Sequence, residues 1–282
     1  MKVLFLTGYD LAVHSLDWML KDEYGPRNVS SINADDLGDT DLSDFNMLVF
    51  PGCVGEVSPY PKFMTPKAIQ NVRNNIEHGL VLWTDCGGTY EVNADINFTN
   101  SDGILKERKG LGFIDGLARG PVEGPAIAPS KQDRFLDVII KRVFHRAANN
   151  NTNTVDICYG NGPGIHLTEA EKNNPDVRII AYYGDDETSP VAALSKKIGK
   201  GLILSFGVLV QIAPAHLQGD FPTSSKAYRH RRVLREHLTH ADEQRKILLT
   251  DVFNIANTHM EQVKPQRNIT QYSLDLRHAN IA

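Results

Sequence analysis

The chain has 282 residues, of which 41% are hydrophobic and 23% are charged, and its formal net charge at pH 7 is -4. These values are typical of an ordinary globular protein with one large α/β domain or two small ones. The negative net charge argues against general binding to nucleic acid or membranes, and no apolar run reaches the length of a membrane-spanning helix.

The first ninety residues alternate between strand-like and helix-like patterns. The strand-like apolar runs are residues 3–6, 29–32, 47–50 and 80–83. A first helix is predicted to begin with a Ser15 cap and to end at Gly25. A second helix is predicted to begin at Thr65-Pro66, where a hydroxyl can cap the helix and proline suits its first position, and to end at Gly79.

This alternation predicts an α/β fold, in which a three-layer α/β/α arrangement surrounds a mostly parallel, flavodoxin-like sheet. In such sheets the functional crevice lies at the carboxyl ends of the strands. Gly8, Gly52 and Cys86 all follow predicted strands closely, so we expect them to meet at that edge.

The remainder of the chain is less regular. Residues 92–125 are glycine-rich and predict short strands and turns, whereas residues 135–144 fit either a helix or a strand. Further segments are predicted as strands at residues 155–159, 177–183, 191–194 and 202–206, and as a late helix at residues 247–255. Residues 256–282 are predicted to be a tail or an arm that follows a single domain of residues 1–255.

A cysteine turn follows the buried strand at residues 80–83. The segment Thr84-Asp85-Cys86-Gly87-Gly88 predicts a sharp strand-to-helix turn that holds a cysteine nucleophile. Such an elbow needs small neighbours because its backbone geometry is tight. We expect the amides of the following helix to point at the thiol, to lower its pKa and to favour the thiolate. The alternative is a buried structural cysteine beside a glycine turn.

The three cysteines, Cys53, Cys86 and Cys158, are an odd number without close pairing. This usage fits a reducing compartment better than a disulfide framework. The apolar run at residues 3–6 is too short for the core of a signal peptide, so a cytoplasmic location is predicted. No metal site and no cofactor are predicted.

The order of these motifs resembles the class I glutamine amidotransferase-like superfamily, and within it the biotin-protein ligase N-terminal-type domain. The likeness begins with the turn Pro51-Gly52-Cys53 and the segment Asp85-Cys86-Gly87-Gly88-Thr89-Tyr90. It continues through residues 96–98, 110–116, 158–163, 180–183 and 199–207. The resemblance covers roughly residues 1–255 and implies the same layered α/β fold.

The chemistry of that family implies roles for the cysteine turn. Cys86 would be the nucleophile that attacks a carbonyl or amide carbon and forms a thioester. The backbone amides of Gly52 or Cys53 and of Gly87 would form the oxyanion hole, which stabilises charge on the carbonyl oxygen. A histidine would accept the thiol proton and would itself be held by an acidic residue.

The chain departs from the family pattern after its last predicted core strand. Active amidotransferases have a G-x-H-P-E-like segment there, whereas this chain has Leu209 and Gln211 where histidine and glutamate are expected. Leucine cannot accept a proton, so the usual cysteine-histidine-glutamate triad is absent. The candidate bases are His14, near the end of the first strand, and His216, downstream of the last strand, and His166 is a further one.

The sequence leaves several functions open. The first is a cysteine-dependent hydrolase or amidase that acts on a small amide or ester with a non-standard base. The alternative is a catalytically inactive family member that acts as a ligand-binding or regulatory module. A third is a thiol-based redox protein, in which Cys53 and Cys86 pair or Asp10 or Glu56 lies beside Cys86.

The partner predicted from the sequence is a small-molecule substrate or ligand, with no nucleic acid and no membrane. A homo-oligomer is left open. Biotin ligation itself is not expected because the chain has no G-R-G-R-like segment.

Overall fold

A computed structural model describes residues 1–123, 138–146, 152–217 and 226–279 of the chain. The strands are β1 (Val3–Thr7), β2 (Leu11–Ala12), β3 (Val29–Asn33), β4 (Met47–Phe50), β5 (Gly52–Cys53), β6 (Val81–Asp85), β7 (Asn93–Thr99), β8 (Leu105–Lys109), β9 (Ile114–Gly120), β10 (Ile139–Arg146), β11 (Thr152–Tyr159), β12 (Gly164–Leu167), β13 (Val177–Tyr183), β14 (Val191–Ile198) and β15 (Gly201–Phe206). The helices are α1 (His14–Tyr24), α2 (Tyr60–Phe63), α3 (Pro66–Glu77), α4 (Gly87–Val92), α5 (Glu169–Lys172) and α6 (Lys226–Ala279). Short 3-10 helices cover Pro26–Asn28, Ala34–Gly38 and Pro214–Leu217.

Thirteen of the described strands form one mixed sheet. The part with the order β3-β1-β4-β6-β15 is parallel throughout. From β14 onward most neighbours are antiparallel, because short turns that reverse the chain join β13, β14 and β15. The predicted α/β fold is confirmed, and the parallel region is the one in which the sequence alternates between strand and helix patterns.

The parallel strands supply a separate hydrophobic core to each face of the sheet, because successive side chains of a strand point to opposite faces. Trp83 of β6 lies in the core that α1 and α6 cover. Its neighbour Leu82 lies in the opposite core, which α3 covers through Val72 and Ile76. The two helix-covered faces give the three layers that the sequence predicts.

The helix boundaries are explained by local chemistry. The Thr65 hydroxyl accepts a hydrogen bond from the Ala68 amide at 3.2 Å, so α3 begins with the predicted cap. Gly25 ends α1 with a φ of 83°, which is also as predicted. The prediction of a Ser15 cap is wrong, since α1 begins at His14 and Val13 precedes it without a side-chain cap.

The C-terminal helix α6 is longer than the sequence pattern predicts. Ala256 and Met260, which follow the predicted domain boundary, are buried in the same core as Val252 and Phe253. The helical backbone continues through Ala279. The segment predicted as a tail is therefore mostly helical, and its first turns pack on the sheet.

The ambiguity at residues 135–144 is settled for the part that the structure describes. Residues 139–144 belong to the strand β10, whereas residues 135–137 lie outside the described residues. None of the described helices combines the length and the apolar character that a membrane-spanning helix needs.

His145 of β10 is a buried ionisable residue between the sheet and α6. Its Nε2 lies 3.3 Å from an oxygen of Asp251, although neither ring nitrogen makes a hydrogen bond of standard geometry to the described residues. Burial lowers the pKa of His145, and the nearby Arg178 lowers it further, while Asp251 partly offsets both effects. The imidazole is therefore held in its neutral form.

This burial makes stability depend on pH. The unfolded chain takes up a proton on His145 near the ordinary histidine pKa of about 6.5, whereas the folded protein takes it up only at lower pH. The contribution of neutral His145 to the free energy of unfolding is thus fully present above about pH 6.5. It is lost as the pH falls below that value, at up to about 1.4 kcal/mol per pH unit. We expect His145→Gln to remove this dependence in urea denaturation, while His240→Gln, at an exposed position of α6, retains it. Equal pH slopes for wild type and His145→Gln would contradict the prediction.

Candidate functional site

Cys86 lies at a sharp turn between β6 and α4. Its backbone has a φ of 43° and a ψ of -106°, which non-glycine residues rarely adopt. The Cys86 amide donates to the Phe206 carbonyl of β15 at 2.8 Å and so ties the turn to the neighbouring strand. A Cβ at Gly88 would collide with the Phe50 carbonyl, which explains the glycine. The turn has the predicted geometry, and the role of Cys86 as a nucleophile remains a prediction.

The Cys86 thiol is buried, with 8% of the residue exposed. Its Sγ donates to the Gly160 carbonyl oxygen at 3.2 Å. Burial raises the pKa of the thiol well above its usual value, and the nearby Asp85 and Cys53 raise it further. The Gly87 amide lowers the pKa, as the sequence predicts, but it is the smallest of these effects. The predicted thiolate is therefore wrong for this structure, because desolvation outweighs one amide at the start of a six-residue helix.

Asp85 precedes the thiol and is fully buried. Its Oδ2 accepts a hydrogen bond from Gln211 Nε2 at 2.5 Å. Oδ1 has no hydrogen bond of standard geometry to the described residues, although the Gly52 amide is close enough to lower the pKa of the carboxyl. Burial is the larger effect and raises the pKa of Asp85 to about 7.

The position of Asp85 corrects an interpretation of the sequence. Strand alternation suggests that the Asp85 and Cys86 side chains point to opposite faces. However, a Cβ at Gly52 would lie 3.1 Å from Cys86 Cβ and 3.6 Å from Asp85 Oδ1. The two side chains lie on the same side because the positive φ of Cys86 ends the strand geometry at that residue.

A short loop after β11 accepts four hydrogen bonds through four consecutive carbonyl groups, and we call residues 160–163 the carbonyl loop. Cys86 Sγ donates to the first carbonyl, that of Gly160. The hydroxyls of Tyr90, Tyr159 and Tyr183 donate to the next three, at 2.9, 2.8 and 3.0 Å. Three tyrosines from three elements thus fix the loop against the Cys86 turn.

Cys53 occupies the other side of the turn. Its amide nitrogen would lie 3.1 Å from a Cβ at Gly87, so the Cys53 amide borders the start of α4. Burial raises the pKa of the Cys53 thiol to about 11, with further contributions from the carboxylates of Glu91 and Asp85. Neither cysteine is therefore poised as a thiolate.

The predicted oxyanion-hole residues lie around the thiol. The Gly52 amide lowers the pKa of the Asp85 carboxyl, whereas the Gly87 amide lowers that of the Cys86 thiol. Gly52 belongs to β5, which pairs with β2. The Gly87 amide thus acts on the thiol, the Cys53 amide lies beside Gly87, and the role of these amides in stabilising an oxyanion stays a prediction.

The candidate histidines are not brought to the thiol. His14 is exposed at the first position of α1, and His166 is exposed on β12. His216 accepts a hydrogen bond from the Ala213 amide at 3.2 Å, and its ring lies 5.2 Å from that of Trp18. Within the described part of the chain, no histidine hydrogen-bonds to Cys86 Sγ, so their role as bases remains a prediction.

Leu209 lies where the family pattern has its histidine. Its amide donates to the Cys158 carbonyl at 2.8 Å, and its Cδ1 would lie 3.1 Å from a Cβ at Gly160. The apolar side chain of Leu209 therefore lies against Gly160, whose carbonyl accepts the hydrogen bond from the Cys86 thiol. A carbonyl oxygen accepts a hydrogen bond but cannot take up the thiol proton as a base at neutral pH.

The carboxylates beside the cysteines differ from the predicted ones. Asp10 is exposed, and Glu56 accepts a hydrogen bond from the Ser101 amide at 2.7 Å. Instead, Asp85 lies beside Cys86, and Glu91, which pairs with Arg108, lies near Cys53. The sequence gives no signal for Glu91, because its approach depends on how α4 packs. Among the described residues, no group of three or more His, Cys, Asp or Glu side chains is arranged to hold a metal ion.

Comparison with known proteins gives one family and one fold. A family model described as biotin-protein ligase, N terminal, matches residues 7–277. A curated relative, described as an uncharacterized protein of Chlamydia muridarum (strain MoPn / Nigg), is 25% identical over 169 residues, or 60% of this chain. The match spans 61% of that relative's length.

Solved structures extend the comparison to the fold. A glutamine amidotransferase from Thermotoga maritima has a TM-score of 0.51 and 10% identity, and the match covers 93% of this chain and 98% of that one. Another structure described as a glutamine amidotransferase has a TM-score of 0.46 and 12% identity, and the match covers 82% of this chain and 96% of that one. The likeness to the Thermotoga maritima protein shows that the chain has a glutamine amidotransferase-like fold.

Proposed function

The chain belongs to the biotin-protein ligase N-terminal family, and from this premise we propose that it is a catalytically inactive glutamine amidotransferase-like module. In this proposal it binds a small molecule at the Cys86 turn and regulates a process without turning over an amide. The proposal rests on the chemistry of the thiol and on the residues that replace the usual triad.

The observation that carries the proposal is the hydrogen bond from Cys86 Sγ to the Gly160 carbonyl. A thiol that donates to a carbonyl stays protonated, and burial raises the pKa of Cys86 well above its usual value. Nucleophilic catalysis needs the thiolate, which an adjacent base or a lowered pKa normally supplies. The Leu209 side chain cannot act as a base, and it carries no charge that would lower the pKa of the thiol.

Binding is supported by the variety of polar groups at the turn. The Gly87 amide lies beside the thiol, the Cys53 amide lies beside Gly87, and the Gly160 carbonyl of the carbonyl loop accepts the thiol hydrogen bond. A few fixed polar groups around a small site are the usual basis of ligand orientation and specificity. The small-molecule ligand expected from the sequence is therefore retained in the proposal.

A cysteine-dependent hydrolase is the second candidate, and the backbone of Cys86 favours it. A φ of 43° at a non-glycine residue costs of order 1–3 kcal/mol, and such strain is concentrated at functional sites. In this candidate a substrate would displace the Gly160 carbonyl from the thiol. Asp85 would then be the nearest carboxyl to serve as the non-standard base.

Alkylation of Cys86 by iodoacetamide tests the choice between the two candidates. We expect the rate to keep rising with pH beyond about 9, because a protonated thiol with a raised pKa reacts only through its minor thiolate fraction. Mass spectrometry separates Cys86 from Cys53, and Cys53→Ser provides the matched control. A rate that levels off near pH 7 would instead support the hydrolase.

Turnover provides a second readout. Under the proposal, hydrolysis of p-nitrophenyl acetate and release of ammonia from glutamine are the same for wild type and Cys86→Ser. Activity of wild type that Cys86→Ser abolishes would overturn the proposal, because it would show that the thiol acts as a nucleophile.

A further inference from the structure

Two buried oxygen atoms flank the single hydrogen bond between Asp85 and Gln211. Gln211 Nε2 donates to Asp85 Oδ2 at 2.5 Å, while Asp85 Oδ1 and Gln211 Oε1 have no hydrogen bond of standard geometry to the described residues, although the Gly52 amide lies near the Asp85 carboxyl. Both residues are at least nine-tenths buried. Buried polar atoms in folded proteins are almost always partnered, so these two call for an explanation.

One proton satisfies both oxygens. A carboxylate only accepts hydrogen bonds, whereas a carboxylic acid also has one hydroxyl donor. A proton on Asp85 Oδ1 can be donated to Gln211 Oε1, and the acid and the amide then form a reciprocal pair with two hydrogen bonds. Exchanging the nitrogen and oxygen of the Gln211 amide leaves the same requirement for one proton.

We propose that Asp85 and Gln211 form a proton-binding site that holds Asp85 as a carboxylic acid and positions the Cys86 turn. Asp85 is the last residue of β6, and Gln211 lies in the segment after β15. The pair therefore ties the two strands together beside the thiol. Asp85 and Gln211 act as positioning residues in this inference, and Asp85 cannot serve as a base for Cys86 while it holds the proton.

Burial favours the neutral form of the carboxyl and outweighs the Gln211 side chain and the Gly52 amide, which both lower its pKa. The ionisable groups that sense its charge are the Cys86 and Cys53 thiols and the Tyr60 hydroxyl, and each has its pKa raised by Asp85. Tyr60 donates its hydroxyl to the Pro51 carbonyl at 2.6 Å rather than to Asp85.

Arg245, a cation that contacts this segment, is already engaged. Arg245 donates to the Val210 carbonyl at 2.9 Å and pairs with Asp242. Among the described residues, no Lys or Arg lowers the pKa of Asp85, which burial raises to about 7. A carboxylate in this place would be a buried charge without a counter-ion, which is costly.

Loss of the proton would change the cysteine. An ionised Asp85 places a negative charge beside the Cys86 thiol, which disfavours the thiolate. It also removes the second hydrogen bond of the pair. Proton release near neutral pH would thus make Cys86 less reactive and the turn less firmly held.

Asp85→Asn is a direct test, because asparagine presents one acceptor and one donor at every pH and so imitates the protonated acid. The contribution of Asp85 to stability is expected to fall as pH rises from about 4, where this group ionises in the unfolded chain, to about 7, where the folded carboxyl ionises. In urea denaturation Asp85→Asn is expected to lose this pH dependence. A variant that is equally destabilised at all pH values would overturn the proposal.

The reactivity of Cys86 provides a second measurement, which would not change if Asp85 had a purely structural role. We expect Asp85→Asn and wild type to be alkylated at similar rates well below pH 7. Above that pH the variant is expected to react about tenfold faster, as a one-unit difference in the thiol pKa predicts. Equal alkylation rates for wild type and Asp85→Asn at every pH would contradict the proposal that Asp85 releases a proton near pH 7.

The wild-type protein can also be tested without any substitution. In protein labelled with ¹³C at the aspartate side-chain carboxyl, NMR is expected to show one carboxyl carbon that titrates near pH 7. Asp85→Asn assigns that signal where the variant folds. Titration of every aspartate carboxyl at about pH 4, the ordinary value, would overturn the proposal by itself.

Discussion

Trp83→Ala is expected to destabilise the folded protein by about 3–5 kcal/mol, the usual cost of deleting a fully buried large aromatic side chain. Trp83 of β6 is completely buried and is among the largest fully buried side chains of the described chain. In a chain of this size, a loss of that magnitude corresponds to a fall of roughly 10 °C in the thermal midpoint.

The position of Trp83 explains why the expected loss is large. Its ring lies 4.7 Å from that of Phe206 on β15 and 5.8 Å from that of Phe253 on α6. One side chain thus joins the strand that leads to Cys86, the neighbouring strand and the long C-terminal helix. Removing it opens a cavity between layers that cannot easily close, because the sheet is fixed by its backbone hydrogen bonds.

Trp83→Phe is the matched control. Trp83 Nε1 has no hydrogen-bond partner among the described residues, so phenylalanine loses volume but no polar contact. We expect a loss much smaller than that of Trp83→Ala, measured by urea denaturation at a fixed pH. Similar losses for the two variants would show that the indole edge, rather than the packed volume, stabilises the core.

The sequence predicts the layers of the fold well because they follow from periodicity and chain punctuation. The apolar runs before Gly8, Gly52 and Cys86 become β1, β4 and β6, and Thr65 caps α3 as expected. Hydrophobic alternation and caps act over a few residues, so their physical causes are visible in the sequence.

The ionisation states of Cys86 and Asp85 cannot be predicted from the sequence in the same way. The sequence predicts a thiolate at Cys86, because it shows glycines and a helix start but does not show how deeply the turn is buried. Desolvation by the surrounding layers dominates the pKa of Cys86 and also that of Asp85. Burial is a property of the whole fold, and it reverses the prediction made from local motifs.

The presence of Gln at position 211, where the family pattern has Glu, is explained by its contact with Asp85. Gln211 binds Asp85, which precedes Cys86, and so does not reach toward a histidine. A glutamate at this position would place a second carboxyl against the buried Asp85, and the two acids would have to share a proton. Asp85 and Gln211 therefore complement each other, while Leu209, at the position of the family's histidine, cannot accept the thiol proton.

Leu209→His is expected to raise the rate of Cys86 alkylation at neutral pH by about 100-fold, which corresponds to a fall of about two units in the pKa of the thiol. The Leu209 side chain lies against Gly160, whose carbonyl accepts the thiol hydrogen bond. An imidazole at this position would lie against Gly160, and we expect it to compete with the Gly160 carbonyl for the thiol proton. The imidazolium formed by proton transfer would then stabilise the thiolate.

Leu209→Asn is the control for Leu209→His, because asparagine is polar and of similar size but cannot take up a proton. Iodoacetamide alkylation with mass spectrometry measures Cys86 in wild type and both variants, and Cys53 provides an internal reference in each sample. A rise for Leu209→His alone would show that the turn retains the geometry for a reactive cysteine and lacks only its base. Equal rates for the two variants would show instead that burial keeps the thiol inert even with a base beside it, since the added imidazole would then have failed to draw off its proton.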